Sequence, residues 1–213
     1  MTLPIPGLLV TALLLMPAGR AWAEATALDV YAAAEAGGAA RFSGVPEKFP
    51  GGRVALKTSG YARADLMRLA AAKARRYNLS PKLVLAIVTH ESNWDTACRG
   101  AAGEYSLGQI LPSTWEKMRE AKKISGNPWL PENNLEATAR YISDSQASIT
   151  QRDLEFAKKN GLQRGHLLMI MYNAGRGSLN KYVAGEPMPQ KIISYVRQVV
   201  KIHNSWGKAQ KRR

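Results

Sequence analysis

Glu91 ends an apolar stripe with the spacing of an α-helix, and its carboxyl group is the first candidate for chemistry in this sequence. Val84, Ile87 and Val88 precede it at positions i, i+3 and i+4, and Glu91 follows at i+7, so all four share one helical face. A carboxylate carried into apolar surroundings without a partner is costly in free energy and responds with a raised pKa. The pattern therefore indicates either a protonated acid or a salt bridge to a basic residue elsewhere in the chain.

Glu91 also opens a set of three short motifs that follow one another along the chain. They are ESNW at 91–94, GEYSLGQILPSTW at 103–115 and MYNAGRG at 171–177. In this order the set resembles the soluble-type lytic transglycosylases, which cleave peptidoglycan with a lysozyme-like catalytic domain. That family shows Glu-Ser-x-aromatic, then Gly-Leu-Met-Gln-Ile-x-Pro-x-Thr, then Ala-Tyr-Asn-Ala-Gly. Each motif is weak alone, but the ordered set over about residues 62–204, with Gln109 placed 18 residues after Glu91 as in the family, is specific.

The resemblance implies a role for each matching position. Glu91 would be the catalytic acid, which first protonates the leaving glycosidic oxygen and then acts as a base. The positions that would hold the sugar are Gln109, Tyr172, Asn173 and Tyr195, with Ser106 as a candidate for a replacement hydroxyl near the N-acetyl group. We expect Tyr172 to stack on a sugar and to hydrogen-bond toward the acid.

The implied reaction cleaves the MurNAc–GlcNAc β-1,4 bond and uses nucleophiles that the substrate itself supplies. The N-acetyl group assists at the anomeric carbon, and the muramoyl 6-hydroxyl then attacks, so the product carries a 1,6-anhydromuramoyl end. Neither a cofactor nor a second carboxylate is required. The sequence offers Asp95 and Glu104 as neighbouring carboxylates, for which a turn role and an exposed loop position are the favoured interpretations.

Four positions depart from the family pattern, and they keep two other functions open. Gly100 replaces a serine, Ser106 a glycine, Gly108 a methionine and Lys191 a glutamate. We expect Gly108 to leave space where the methionine would pack. One alternative is a lysozyme-type hydrolase of the same bond, with Asp95 or Glu104 positioning the water. The other is a cationic, non-catalytic protein that binds the cell wall or serves as a scaffold.

The elements that must position these residues are predicted to be helices. Their predicted extents or starts are about 62–77, Ser80-Pro81 to Glu91, a capping box at Ser113–Glu116, Asn133 with Glu136, about 164–173 with Gly175 as its stop, and about 189–203. No run shows sustained period-two alternation. We therefore expect a mainly α, lysozyme-like helical catalytic domain with a central cleft over 61–204.

The chain termini predict export. Residues 1–23 combine a short apolar run, 7–18, with the small-x-small site Ala21-Trp22-Ala23, which is typical of a cleavable signal peptide; an uncleaved anchor is the alternative. Residues 24–60 are rich in Ala and Gly and predict a linker or a loosely ordered segment. Residues 205–213 form a basic tail. We expect a periplasmic protein without stable membrane insertion after cleavage.

The formal net charge of +14 suits an acidic polymer or surface, such as nucleic acid, anionic lipid headgroups or a cell wall rich in carboxylates. Export argues against nucleic acid, so we expect peptidoglycan glycan strands to be bound by a monomer, with an envelope-spanning assembly as a conjectural partner. Cys98 is the only cysteine, which excludes an intrachain disulfide and favours a buried structural thiol. The three histidines, His90, His166 and His203, have no metal-ligand spacing, so no metal is expected.

Overall fold

The structure, a computed structural model, describes residues 61–209, and side chains up to residue 205. Seven α-helices form this part of the chain, which confirms the prediction of a mainly α-helical domain. They are α1 Arg63–Arg76, α2 Pro81–Ser92, α3 Pro112–Glu120, α4 Pro131–Ala147, α5 Gln151–Lys159, α6 Arg164–Val183 and α7 Gln190–Ala209. Two isolated bridges, from Tyr105 to Arg99 and to Ile110, order the loop between α2 and α3.

Helix α2 lies at the centre of the core, packed between α1 and α7. Every residue from 83 to 89 is buried, including the stripe Val84, Ile87 and Val88 at 0% exposure. Pro81 occupies the first helical position, where its fixed φ suits the helix and its missing N–H costs nothing. A helix buried on all sides is held by its neighbours along its whole length, so its last turn is a rigid platform for Glu91.

Proline, and not a polar cap, starts the helix for which we predicted a capping box and the helix that we expected to begin at Asn133. Helix α3 begins at Pro112 after Leu111, and α4 begins at Pro131 after Leu130; neither start has a side-chain cap hydrogen bond. The predicted starts at Ser113 and Asn133 are therefore wrong by one and two residues. The prearranged φ of proline places it at the first helical position and shifts the polar residues into the first turn.

Helix α5 was not predicted from the sequence, although its start carries a recognisable signal. Thr150 and Asp153 form a capping box: the Thr150 side chain accepts from the Asp153 N–H, and the Asp153 carboxylate accepts from the Thr150 N–H at 2.7 Å. The third helical position holds Asp instead of the usual Glu or Gln, so the sequence does not match the common capping-box pattern.

Gly175 interrupts the helical backbone within α6, as we predicted, but a second helical segment follows it directly. Its φ of 79° and ψ of 164° lie in a region that essentially only glycine enters, and the helix resumes and continues to Val183. Helix α7 likewise continues past 203 to Ala209, into the predicted basic tail. The predicted signal peptide and the segment 24–60 lie outside the described residues. Among the helices that the structure describes, none is long and apolar enough to cross a membrane.

Candidate active site

Glu91 lies in the last turn of α2, where helix α7 contacts it directly. Tyr195 donates its hydroxyl hydrogen bond to Oε1 of Glu91 at 2.8 Å, and the two residues are 104 positions apart in the chain. The ring of His90 packs edge-on against the Tyr195 ring, with centroids 4.7 Å apart, and its Nε2 lies 2.7 Å from Oε1 of Gln198. These contacts hold the Tyr195 hydroxyl in place over the carboxyl group.

The surroundings of Glu91 favour a proton on its carboxyl group. Burial, together with the negative charge of Glu104, raises its pKa from 4.5 to about 7, although the hydrogen bond from Tyr195 acts in the opposite direction. The C-terminal end of α2 carries a partial negative charge, which also disfavours a carboxylate there. In the described part of the chain no Lys, Arg or His forms a salt bridge with Glu91. Of the two sequence interpretations, the protonated acid fits this environment.

The loop after Glu91 has an unusual concentration of left-handed backbone. Asn93, Trp94, Ser106 and Gln109 all have positive φ, between 48° and 70°. Such conformations cost a non-glycine residue on the order of 1 kcal/mol or more, and they persist only where their surroundings hold them. The φ of 53° at Ser106 explains the glycine of the family pattern, because glycine adopts this conformation without steric cost.

Gln109 faces the site with its oxygen and not with its nitrogen. Its Nε2 donates to the carbonyl oxygens of Cys98 at 3.1 Å and Ser106 at 2.6 Å. Two carbonyl acceptors fix the orientation of the amide, since only an NH₂ group can donate to both. Oε1 is left as the group that Gln109 offers to a ligand, so the residue contributes an acceptor.

The structure gives Ser106 a place inside the loop instead of on the cleft. The residue is 0% exposed, and its hydroxyl donates to the carbonyl of Thr96 at 2.8 Å. It therefore stabilises the loop and does not offer the replacement hydroxyl that we expected. Asp95 has the turn role favoured by the sequence, because its Oδ1 accepts from the N–H of Ala97 at 2.9 Å.

Tyr172 is a half-buried residue of α6 whose hydroxyl donates to the carbonyl of Gly108 at 2.5 Å. The hydrogen bond to the acid that we expected from Tyr172 is thus made by Tyr195. Burial and the charge of Glu91 raise the pKa of Tyr172. A Cβ on Gly108 would overlap the hydroxyl of Thr138 and lie 3.0 Å from the Tyr172 hydroxyl. The space that we predicted beside Gly108 is therefore filled.

An open groove of about 820 Å³ runs along α6 and α7, and its lining includes Tyr195, the hydrogen-bond partner of Glu91. Asn173 is exposed and lines this groove together with Tyr195 and His90. Lys191 lies on its rim, where the family pattern has a glutamate. A more apolar groove of about 630 Å³ between α5 and α7 shares only Tyr182 with it.

Glu104 is less exposed than the loop position favoured by the sequence. It is half-buried, its Oε2 accepts from the N–H of Ala102 at 2.9 Å, and its charge contributes to the raised pKa of Glu91. The signal that could have found it is Gly100, where a serine was expected. A Cβ on Gly100 would overlap the Glu104 carboxylate, so the glycine makes room for it.

Comparison with known proteins gives a family match and a group of related sequences. A family model described as "Transglycosylase SLT domain" matches residues 68–193. Proteins named "Membrane-bound lytic murein transglycosylase C" from Yersinia pestis (strain Pestoides F) and Yersinia pseudotuberculosis serotype O:1b (strain IP 31758) are 30% identical over 112 residues. The aligned stretch is 50% of this chain but only 30% of the length of each relative. No solved structure matches the chain significantly.

Proposed function

The chain belongs to the SLT transglycosylase family, and on that premise we propose that it is an exported lytic transglycosylase of peptidoglycan. The bond cleaved is the MurNAc–GlcNAc β-1,4 linkage, and the product ends in a 1,6-anhydromuramoyl residue. The names of its relatives, lytic murein transglycosylases described as membrane-bound, support a substrate in the cell envelope. The predicted signal peptide supports export to the periplasm, and the net charge of +14 suits an acidic cell-wall polymer.

The observation that carries this proposal is the state of Glu91. Its pKa of about 7 keeps a proton available at neutral pH, and Tyr195 holds the carboxyl group in one orientation. Glycosidic cleavage needs such a proton on the leaving oxygen, and a general acid is most effective when its pKa lies near the working pH.

The reaction then runs in two steps through the same carboxyl group. Glu91 gives its proton to the leaving oxygen as the C1–O bond breaks, and the acetamido oxygen of the muramoyl residue bonds to C1. Next, the 6-hydroxyl attacks C1, the acetamido oxygen leaves, and Glu91 takes the hydroxyl proton back. No water is consumed, and Glu91 ends the cycle protonated as it began. Gln109, Tyr172 and Asn173 serve as substrate-binding residues from the loop and from α6.

The chemical structure of the released fragments tests this proposal. Purified sacculi are digested with the protein, and the released fragments are analysed by mass spectrometry beside a Glu91→Gln control. We expect anhydromuramoyl ends with the wild type and none with the control. Digestion without such ends would contradict the proposal, and wall binding without any fragments would favour the non-catalytic scaffold.

Glu104 is the specific observation that supports a second candidate, a hydrolase of the same bond. Its charge acts on Glu91, and hydrolysing glycosidases use a second carboxylate as a nucleophile or to activate water. In that case the mass spectrum shows reducing ends, one water heavier than the anhydro products. The same digest therefore separates the two candidates.

The Tyr195 hydrogen bond predicts a shift in the pH profile. Because this bond stabilises the ionised carboxylate, it lowers the pKa of Glu91, and a Tyr195→Phe variant raises that pKa further. Activity that requires a protonated Glu91 falls as the pH rises through this pKa. We expect the alkaline limb of kcat/KM to move to higher pH in the variant. The measurement is a pH–rate profile from about pH 5 to about pH 10.

Tyr182→Phe is the matched control for this profile. Tyr182 lines the same groove, but Glu91 hydrogen-bonds to Tyr195 and not to it. The alkaline limb of the Tyr182→Phe profile should coincide with that of the wild type. A limb that stays in place or moves to lower pH in Tyr195→Phe would show that this hydroxyl does not set the protonation of the acid.

A further inference from the structure

We propose that Glu104 is a second catalytic residue, whose carboxylate accepts the acetamido N–H of the sugar at the bond being cleaved. This inference rests on the proposed transglycosylase function and adds to it a residue that the family pattern does not include. The glycine at position 100, where the family has a serine, and the carboxylate of Glu104 then depend on each other. A side chain at position 100 would overlap the carboxylate in its present place.

The geometry around Gly100 supports this pairing. A Cβ at that position would overlap Oε2 of Glu104 and would lie 2.8 Å from Oε1 of Gln109. Oε2 of Glu104 and Oε1 of Gln109 therefore lie close to the same point, next to Gly100, which has no side chain. The N–H of Ala102, which donates to Oε2 at 2.9 Å, ties the carboxylate to the loop. The loop itself is fixed by the bridges of Tyr105.

Two neighbouring acceptors indicate a ligand that donates. Gln109 has only Oε1 to offer, since its Nε2 is held by two carbonyls, and an ionised Glu104 carries no proton to donate. A sugar hydroxyl can either donate or accept, but a secondary amide N–H can only donate. Within the sugar itself, the acetamido group is the part that carries such an N–H, and a charge-assisted bond to it is about twice as strong as a neutral one.

Such a bond has a direct consequence for the chemistry. As the acetamido oxygen bonds to C1 and the leaving C1–O bond breaks, positive charge develops on the acetamido nitrogen. A carboxylate that already accepts the N–H stabilises this charge more strongly than it stabilises the neutral amide, so it accelerates the step. The nitrogen keeps its proton, which stays shared with Glu104, while Glu91 delivers the proton to the leaving oxygen. Glu104 would not be consumed or protonated over the cycle.

The test compares Glu104→Gln, Gly100→Ser and a control, Glu120→Gln, on soluble glycan strands. Glu120 is an exposed acid at the end of α3, so its variant removes the same charge away from the loop. We expect kcat to fall about 10- to 100-fold in the first two variants, with KM changed less than about threefold and thermal melting close to wild type. The control should match the wild type.

A pH profile supplies a readout that a merely structural role would not move. The groups that act on Glu91 are Glu104, which raises its pKa, and Tyr195, which lowers it. Loss of the Glu104 charge should therefore shift the alkaline limb of kcat/KM to lower pH in Glu104→Gln. The residual products should still be anhydromuramoyl ends.

Three results would overturn the proposal. Glu104→Gln with the same kcat as the control would show that the carboxylate does not act on the reaction. A rise in KM alone would reduce Glu104 to ground-state binding. Reducing ends from the wild type would instead make Glu104 a water-positioning residue and would refute the transglycosylase function as well. The first two leave that function intact, so the two failures are distinguishable.

Discussion

Replacing Glu91 by Gln should reduce turnover by a factor of about 10²–10⁴ or more, while the protein continues to fold and to bind cell wall. Glutamine keeps the shape of the side chain and can still accept the hydrogen bond from Tyr195, but it has no proton to give to the leaving oxygen. The rate of release of anhydromuramoyl fragments, measured together with binding to sacculi, checks this expectation.

The same variant should gain stability at neutral and alkaline pH. Because the folded-state pKa of Glu91 is about 7, above its ordinary value of 4.5, its stabilising contribution is complete below pH 4.5 and is lost as the pH rises to 7. A glutamine side chain at this position has no charge to bury, so we expect Glu91→Gln to be more stable than the wild type by about 1–2 kcal/mol at about pH 8 and equal to it at about pH 4. Denaturant unfolding at both values measures the difference.

Glu136→Gln is the opposite control. Glu136 is a carboxylate of α4 that accepts from Lys73 at 2.6 Å, and, although burial works against ionisation, its hydrogen bonds to Lys73 and Tyr77 lower its pKa. Its replacement should reduce stability at about pH 8 and leave the products unchanged. A Glu91→Gln protein that turned over normally, or that was less stable than the wild type at that pH, would contradict the protonated-acid assignment.

The position of Glu91 could be predicted because the information lies within one helix. Three apolar residues at i, i+3 and i+4 and a proline at the helix start specify both the buried face and the register, and the structure buries that stripe completely. The partner of the acid could not be found in this way. Tyr195 is 104 residues away, and only the packing of α7 on α2 brings its hydroxyl to the carboxylate.

Backbone conformation limited the predictions in the loop. Ser106 was expected to face the substrate, but its left-handed φ turns it into the interior, where its hydroxyl bonds to Thr96. Glu104 was assigned to solvent because an isolated charge on a loop usually belongs there. Gly100 indicates instead that Glu104 is held against the loop, because a Cβ at position 100 would overlap the Glu104 carboxylate. That contact can be seen only in the folded loop.

Replacing Asp153 by Ala should destabilise the protein by about 2–4 kcal/mol, the largest stability effect that we predict. The Asp153 side chain is 2% exposed, and its Oδ2 accepts from Arg176 at 2.7 Å and from the Thr150 hydroxyl at 2.8 Å. The change removes the Asp153 half of the capping box of α5 and the ion pair that fastens α6 just beyond the kink at Gly175. The free energy of unfolding at neutral pH measures the loss.

Acid titration and a surface control make this expectation specific. Burial works against ionisation of Asp153, but its bonds to Arg176 and Thr150 outweigh that effect and lower its pKa below 3.8, so its contribution is present above that pH and is lost as the pH falls through the folded-state value. The difference between wild type and Asp153→Ala should therefore shrink below about pH 4. Asp65→Ala breaks an exposed pair with Arg68 and should cost less than about 1 kcal/mol. Equal losses in the two variants would show that α5 and α6 are held together by apolar packing, and that the buried ion pair adds nothing to the kinked helix beside the acid.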